Sequence, residues 1–402
     1  MKRYVIKRLL IIIPTLWVTT LIAFTLSRFV PQDPVTILLD NRGAQDTEES
    51  YSQLYKELGL EKPNFYFSIL PSHYPDNINT ISSAEIKSQV KTALKSGYHF
   101  NDIKKIIEES DNNKSNLLQQ IDSKSLQKSS IISPKFVWHG ADNQYHHWLS
   151  SFFNGKSIVD GKNALSKVKN ALLWTLSITL VDFILSIVLC ILIGKYLIMY
   201  NQKRRTRWIS QILYAIYSIP VFWMATMAVL YLTTDDYGSI TNIFSSVGMN
   251  IYPGESTLYH IVYNTPKLIL PILILTTHSL AYTTRIMSRS IAEELQKPYI
   301  STAYSKGLSR KQVINLHAFK NALIPMITVF IAAFASAFAG SLLLEVIFNI
   351  PGIGRLLYSS IGQADWNVVF CIVIIIAFVT SIIYLLGDIL YAIVQPKLRY
   401  DA

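Results

Sequence analysis

The chain has 402 residues, of which 50% are hydrophobic and only 16% are charged, and its formal net charge is +11. Soluble domains usually have about a quarter of their residues charged, so this composition excludes the two or three soluble domains that the length alone would predict. The basic residues lie largely between long apolar segments. That distribution is typical of membrane proteins and requires no nucleic acid as a partner.

Six apolar segments are long enough to cross a bilayer, which takes about twenty helical residues. They lie at residues 9–30, 171–199, 209–233, 268–284, 323–348 and 368–394. The first follows basic residues, as in a signal peptide, but it is too long for one and "FVPQDP" follows it, so we expect a retained anchor. Pro266 and Pro271 interrupt the fourth, which membrane helices tolerate. The pattern predicts an all-α membrane protein with six transmembrane helices.

The basic residues also predict the orientation, because short loops rich in lysine and arginine remain cytoplasmic. Such residues are frequent before the first segment and in the connections at 195–207 and 285–320, whereas residues 234–260 contain none. Both termini are therefore expected in the cytoplasm. The long segment at 31–168 is expected on the other side of the membrane.

This long segment contains helical patterns. Residues 47–59 and 82–97 each end at a glycine, Ser82 and Glu85 have capping-box spacing, and Asn101 is a suitable N-cap for a third helix. We expect a mostly helical extracytoplasmic domain inserted at about 63–146, between an N-terminal transmembrane helix at 1–30 and a five-helix core at 169–402. The insert is either an insertion without chemistry, or a domain that contacts a solute-binding partner or covers the pore mouth.

Motifs for catalysis or cofactor binding are not found. The chain contains no G-x-x-x-x-G-K-[ST], H-E-x-x-H or G-x-S-x-G pattern, so we expect no enzyme, no catalytic residue, no metal site and no bound cofactor. Cys190 and Cys371 lie in predicted spans and are expected to be apolar packing residues. His146 and His147 are adjacent in the external segment, where surface polar residues are expected.

Four polar residues lie within predicted spans, where such groups are costly and often functional. Asp182 is in the middle of the second, His278 and Tyr282 are in the fourth, and Glu345 is near the end of the fifth, where nearby water lowers the cost. For Asp182 we expect a hydrogen bond between helices. An ion-coupled secondary transporter is the alternative, but it would place several such groups at one site, and these are scattered along the sequence.

The segment 298–325, "PYISTAYSKGLSRKQVINLHAFKNALIP", is polar although apolar segments flank it. Pro298 suits the first turn of a helix and Gly307 suits its left-handed end. Ser309 and Gln312 have capping-box spacing for a second helix, which we expect to end at Pro325. Two helices joined by a glycine turn form a shaped surface, which a loop that only carried positive charge would not need. The pattern indicates a docking surface in the cytoplasm.

Four stretches resemble one known family, the integral-membrane permease subunits of binding-protein-dependent ABC importers, in the dipeptide/oligopeptide/nickel branch and of the first-subunit type. The stretch "TAYSKGLSRKQVINLHAFKNALIP" resembles the cytoplasmic EAA loop of that branch, which acts as a coupling helix. The others are "YVIKRLLIIIPTLWVTTLIAFTLSRFVPQDP", "SIPVFWMATMAVLYL" and "LLLEVIFNIPGIGRLLYSSI". The resemblance covers residues 1–62 and 148–400.

The resemblance implies the type I importer permease fold, termed MetI-like, with the coupling loop at about 286–322. It implies a bacterial inner-membrane location and four kinds of partner: a second permease subunit, two ATP-binding subunits that hold ATP and magnesium, an extracytoplasmic substrate-binding protein, and membrane lipid. The family's Glu-Ala-Ala reads Ser-Thr-Ala here. The residues implied in ATPase coupling are Ser301, Thr302, Ala303, Lys306, Gly307, Ser309, Arg310 and Gln312. The substrate is open among dipeptides, oligopeptides and nickel or another small solute.

Overall fold

The computed structural model describes residues 2–30, 33–43, 47–109, 133–150, 152, 154–234, 242–338 and 342–394. The chain divides into two compact units. The helical unit comprises Met1–Ala23, Ser166–Ser360 and Val368–Ala402, and the mixed unit comprises Phe24–Leu165 and Ile361–Asn367. The first helix, α1, therefore begins in the helical unit, and its last turn belongs to the mixed unit.

The mixed unit contains helices and one two-stranded ribbon. The first helix, α1, is Lys2–Ser27. The elements of the mixed unit that follow it are α2 (Pro34–Arg42), α3 (Glu48–Glu57), β1 (Phe67–Pro71), α4 (Ala84–Lys95), α5 (Phe100–Glu109), β2 (Pro134–Trp138) and α6 (Gln144–Ser150). β1 and β2 pair antiparallel, with Phe67 opposite Trp138 and Ile69 opposite Phe136. Sequence analysis did not predict the ribbon, because its strands are far apart along the chain and no hairpin turn joins them.

The helices α3 and α4 occupy their predicted positions, and the glycines expected to follow them both have positive φ. The predicted capping box of Ser82 and Glu85 is wrong. Ser83 is the extended residue instead, and its Oγ accepts a hydrogen bond from the amide of Ile86. The predicted N-cap at Asn101 is also wrong, because α5 begins at Phe100 and Asn101 lies inside it. Two adjacent serines offer the same capping chemistry, and sequence alone does not choose between them.

The helical unit consists of long helices with short connections. After α1, its helices are α7 (Ala164–Met199), α8 (Arg204–Tyr217), α9 (Val221–Leu232), α10 (Thr257–Tyr263), α11 (Thr265–Glu294), α12 (Pro298–Ser305), α13 (Arg310–Val313), α14 (Phe319–Phe338), α15 (Leu342–Ile347), α16 (Ile353–Gly362) and α17 (Trp366–Val394). A π-helical turn, Ile314–Ala318, joins α13 to α14.

Four helical stretches of the described chain are long and apolar enough to cross a membrane unbroken: Ile6–Ser27, Ala164–Met199, Arg310–Ala337 and Trp366–Tyr391. They correspond to the first, second, fifth and sixth predicted spans. The third and fourth fall on helix pairs bent by 93° (α8 and α9) and by 78° (α10 and α11). Counting each bent pair as one span gives six. The protein is thus a mostly helical, multi-pass membrane protein.

Proline accounts for the position of both bends. Pro220 directly precedes α9, and Pro266 lies in the first turn of α11. Proline has no amide hydrogen and disfavours a helical conformation in the residue before it, so helices usually end just ahead of it.

Close packing in the helical unit involves a glycine. A Cβ added at Gly194 of α7 would lie 2.7 Å from Cγ of Met287 on α11, so only glycine allows this approach. Met287 is fully buried, in a cluster that also contains Ile300 of α12 and Val313 of α13. The predicted docking segment is therefore seated on the helical unit by apolar contacts.

Candidate functional site

The first half of the 298–325 segment has the predicted start and end. Pro298 lies in the first turn of α12, where a missing amide hydrogen costs nothing. Gly307 follows the helix with φ of 82°. Its amide donates to the carbonyl of Tyr304 at 2.9 Å, and the amide of Leu308 donates to that of Ala303 at 3.4 Å. These are the two hydrogen bonds of a Schellman motif, so the glycine turn is confirmed.

The capping box at the start of α13 is also confirmed. The amide of Ser309 donates to Oε1 of Gln312 at 2.9 Å, and the amide of Gln312 donates to Oγ of Ser309 at 3.4 Å. The expected end of this second helix at Pro325 is wrong, because Pro325 lies inside α14 and the helical path runs from Arg310 to Ala337. The 298–325 segment therefore contains one short separate helix, α12, and its second half is the beginning of a candidate span.

Most residues predicted to couple to an ATPase lie on one exposed stretch. The exposed ones are Ser301, Thr302, Lys306, Gly307, Ser309, Arg310 and Gln312. Ala303 differs, since it is 5% exposed and packs in the apolar cluster beneath α12. Tyr304 is 44% exposed between these polar residues, and sequence analysis did not single it out. An aromatic residue within a polar stretch of sequence is a signal that could have identified it, because aromatic residues are frequent contact residues.

Two sets of hydrogen bonds hold this surface against neighbouring helices. The guanidinium of Arg310 donates to the carbonyl of Ile198, in the last turn of α7, at 3.1 Å. The hydroxyl of Tyr299 donates to Glu294, at the end of α11, at 2.6 Å, and it accepts from Nδ2 of Asn321 at 2.9 Å. Burial and the hydrogen bond to Glu294 raise the pKa of Tyr299. A displacement of α12 and α13 would therefore be transmitted to α7, α11 and α14.

A second polar site lies between α7, α11 and α14, around Asp182. Its carboxylate accepts hydrogen bonds from Oγ of Ser186 at 3.0 Å and from Oγ of Ser279 at 3.1 Å. The two hydroxyls also lie 2.6 Å apart. They line a cavity of about 250 Å³, together with His278 and Phe330. The hydrogen bond between helices that was expected for Asp182 is confirmed.

The other two polar residues predicted in spans lie elsewhere in the helical unit. Tyr282 is 45% exposed and stacks on Tyr217, with 6.3 Å between ring centroids. Glu345 is only 2% exposed, although sequence analysis placed it near water. Its carboxylate accepts hydrogen bonds from Oγ1 of Thr175 at 2.8 Å and from the amide of Arg355 at 3.0 Å. Of the four predicted polar residues, only Asp182 and His278 line one cavity.

Cysteines and histidines give no second chemical site. Cys190 and Cys371 are buried, as expected for packing residues. Nε2 of His147 lies 2.8 Å from Asp142, and Nδ1 of His146 lies 3.0 Å from the hydroxyl of Tyr66. Among the described residues, no group of three or more His, Cys, Asp or Glu side chains is placed to hold a metal ion.

Comparison with known proteins identifies similar chains. A family model described as "Binding-protein-dependent transport system inner membrane component" matches residues 186–400. The oligopeptide transport system permease protein AppB of Bacillus subtilis (strain 168) is 30% identical over 286 residues, covering 68% of this chain and 84% of AppB. The di/tripeptide transport system permease protein DppB of Pseudomonas aeruginosa (strain UCBPP-PA14) is 24% identical over 424 residues, covering 100% of both.

A solved structure of the MetNI methionine ABC transporter, in an inward-facing conformation, matches with a TM-score of 0.44 and 16% identity. It covers 57% of this chain and 96% of the matched one.

Proposed function

The chain belongs to the family of binding-protein-dependent transport system inner membrane components, which transport solutes and are not catalysts, and from this premise we propose that it forms half of a translocation pathway for di- and oligopeptides. One observation carries the choice of substrate. The di/tripeptide permease DppB of Pseudomonas aeruginosa aligns with the whole chain, including the residues before the family match. The name of AppB, an oligopeptide permease, agrees with this choice.

We propose that both bent pairs cross the membrane, giving the six spans of a MetI-like permease with both termini in the cytoplasm. The absence of lysine and arginine at 234–260, between the two pairs, supports this topology. It places the mixed unit outside the cytoplasm and the 298–325 segment inside. The membrane is then the bacterial inner membrane, as in the family description.

We further propose that the exposed surface of α12 and α13 docks on a cytoplasmic ATP-binding subunit. Its support is the construction of the segment: a proline start, a Schellman turn and a capping box hold exposed polar side chains on a buried apolar base. Because the helical path continues from α13 into α14, closure of the ATPase would displace a span directly. An interaction that differs between two ATPase states is what allows such coupling.

The remaining partners follow from this proposal. A second permease subunit completes the pathway, two ATP-binding subunits hold ATP and magnesium, and an external binding protein delivers the peptide. The Asp182 cavity supplies polar groups inside the helical unit, where a solute could pass. The polar residues expected of an ion-coupled transporter do not converge on one site, since Glu345 and Tyr282 do not line this cavity.

The experiment is purification with these partners, reconstitution in vesicles, and measurement of ATP hydrolysis and uptake. We expect hydrolysis to be stimulated by the binding protein loaded with di-, tri- or longer peptides. Stimulation by Ni²⁺ and not by peptides would contradict the proposed substrate. Uptake driven by an ion gradient without the ATPase would contradict the proposed mechanism.

A further inference from the structure

The ribbon of β1 and β2 has one face made only of apolar side chains. Phe67 and Ile69 of β1 share this face with Phe136 and Trp138 of β2 because of their register. Each of the four is at least half exposed, from 50% for Phe67 to 67% for Ile69. A contiguous exposed apolar surface of this kind marks a site of contact with another molecule or with a membrane.

The opposite face of the ribbon carries Ser68, Leu70, Lys135 and Val137, and its two polar residues both have partners. Oγ of Ser68 lies 2.9 Å from Nε2 of His139. Lys135 forms an ion pair with Asp76 at 2.5 Å. The charged residue of the ribbon thus lies on the other face, so the apolar face presents no charge with which a protein partner could form ion pairs.

The end of the ribbon that contains Phe67 lies beside the last turn of α1, which is an apolar helix. Phe24 is in the last turn of α1, within the candidate span Ile6–Ser27, and it is only 1% exposed. Its ring centroid lies 5.0 Å from that of Phe65, and 5.4 Å from that of Tyr145. Phe65 precedes Phe67 by two residues, which is about 7 Å of extended chain. The ribbon therefore begins beside the last turn of a candidate span. The end of a helix that crosses the bilayer lies near the lipid headgroups.

We propose that the apolar face of this ribbon inserts into the interfacial region of the outer leaflet. Tryptophan and other aromatic side chains are enriched at that depth, where the ring is in an apolar environment and polar atoms reach water. The face begins two residues after Phe65, whose ring packs against Phe24 in the last turn of α1. The proposal goes beyond transport, because it gives the mixed unit an attachment to the bilayer whatever solute is carried.

A spin-label experiment tests this proposal on the full chain. Both native cysteines are buried, so a cysteine introduced in Phe136→Cys is the site for a nitroxide label. The matched control is Lys135→Cys, the adjacent residue on the opposite face, and Ile69→Cys repeats the measurement on the other strand. The labelled proteins are reconstituted in vesicles of phosphatidylcholine and phosphatidylglycerol.

We expect oxygen, which concentrates in lipid, to relax the labels at 136 and 69 more than a water-soluble nickel chelate does. The order should be reversed at 135. Access of the nickel chelate to 136 and 69 equal to that at 135 would show the face in water and overturn the proposal. Exclusion of both reagents from 136 and 69 would overturn it in favour of a protein contact, such as a second copy of the chain.

Discussion

Gly307 is the residue that the turn between α12 and α13 requires. Its φ is 82°, and no atom lies within 4 Å of the position that a Cβ would take. Space is therefore not the constraint; the backbone conformation is. A residue with a side chain loses roughly 1–2 kcal/mol in this left-handed region, and a β-branched one is especially unsuited to it.

We predict that Gly307→Val lowers peptide-stimulated ATP hydrolysis without preventing membrane insertion. A cost of roughly 1–2 kcal/mol would lower the population of the native turn by a factor of about 5–30. Gly307→Asn is the matched control, because asparagine tolerates the left-handed region and should retain most of the activity. Equal and normal stimulation in both variants would show that the turn has no part in coupling.

Glu345 is the buried carboxylate on which α7 and the start of α16 converge. Oγ1 of Thr175 donates to it and accepts from the amide of Ile353 at 2.9 Å. We predict that Glu345→Ala lowers the thermal stability of the detergent-solubilised protein, because each polar group left without a partner costs about 1–3 kcal/mol. Glu345→Gln keeps one acceptor oxygen and should be less harmful. Indistinguishable melting temperatures for the wild type and both variants would contradict this role.

Lys87 lies in the mixed unit, with its Nζ donating to the hydroxyl of Tyr55 at 2.7 Å. Burial lowers the pKa of Lys87 from 10.5 to about 8, and the nearby charge of Lys91 adds to this effect. Between these two values the unfolded chain binds more protons than the native one, so this residue makes stability rise with pH across that window. We predict that acetylation of Lys87, followed by mass spectrometry, has its midpoint near pH 8. A midpoint near 10.5, as in an unfolded chain, would contradict the burial.

At the scale of elements, the contact between α13 and α7 depends on Arg310. Its charge alone would be explained by the positive-inside rule, but its bond to the carbonyl of Ile198 at 3.1 Å is specific. We predict that Arg310→Ala reduces the amount of peptide transported per ATP hydrolysed. The lost bond is worth roughly 1 kcal/mol at an exposed site. Lys311→Ala removes the same charge one residue later and is the control; an equal effect of both would mean that only charge matters.

The elements that sequence analysis predicted well are those set by neighbouring residues. The start of α12 at Pro298, the turn at Gly307 and the capping box of Ser309 and Gln312 each depend on side chains within a few positions. The continuation of the helix through Pro325 was not predicted. A π-helical turn lies between the cap and this proline, and no local signal in the sequence announces it.

Features that depend on distant residues were not predictable in this way. The β ribbon joins strands on either side of α4 and α5, and the burial of Glu345 depends on α7 and on the loop after α15. The same limit applies to the candidate site. Periodicity places His278 and Tyr282 one turn apart on α11, yet only His278 lines the Asp182 cavity.

For the whole molecule, the proposed six spans require that each of the two bent helix pairs crosses the membrane. On the proposed orientation, with both termini in the cytoplasm, four spans and six spans alike put the mixed unit outside and the 298–325 segment inside. Only the stretch between the two pairs, 242–256, changes sides. It contains no lysine or arginine, which favours the outside and therefore six spans.

We predict that Glu255→Cys, in this stretch, reacts in intact cells with a maleimide that cannot cross the membrane. Glu255 is exposed, and both native cysteines are buried, so the label should report this position alone. Asp142→Cys is the control for an outside position and Lys306→Cys for an inside one, since neither assignment depends on the bent pairs. Labelling of Glu255→Cys only after the cells are opened, in parallel with Lys306→Cys, would mean that each bent pair enters and leaves on the cytoplasmic side. The solute pathway would then be built from four spans, and the Asp182 cavity, which α11 helps to line, would lie beside a re-entrant helix.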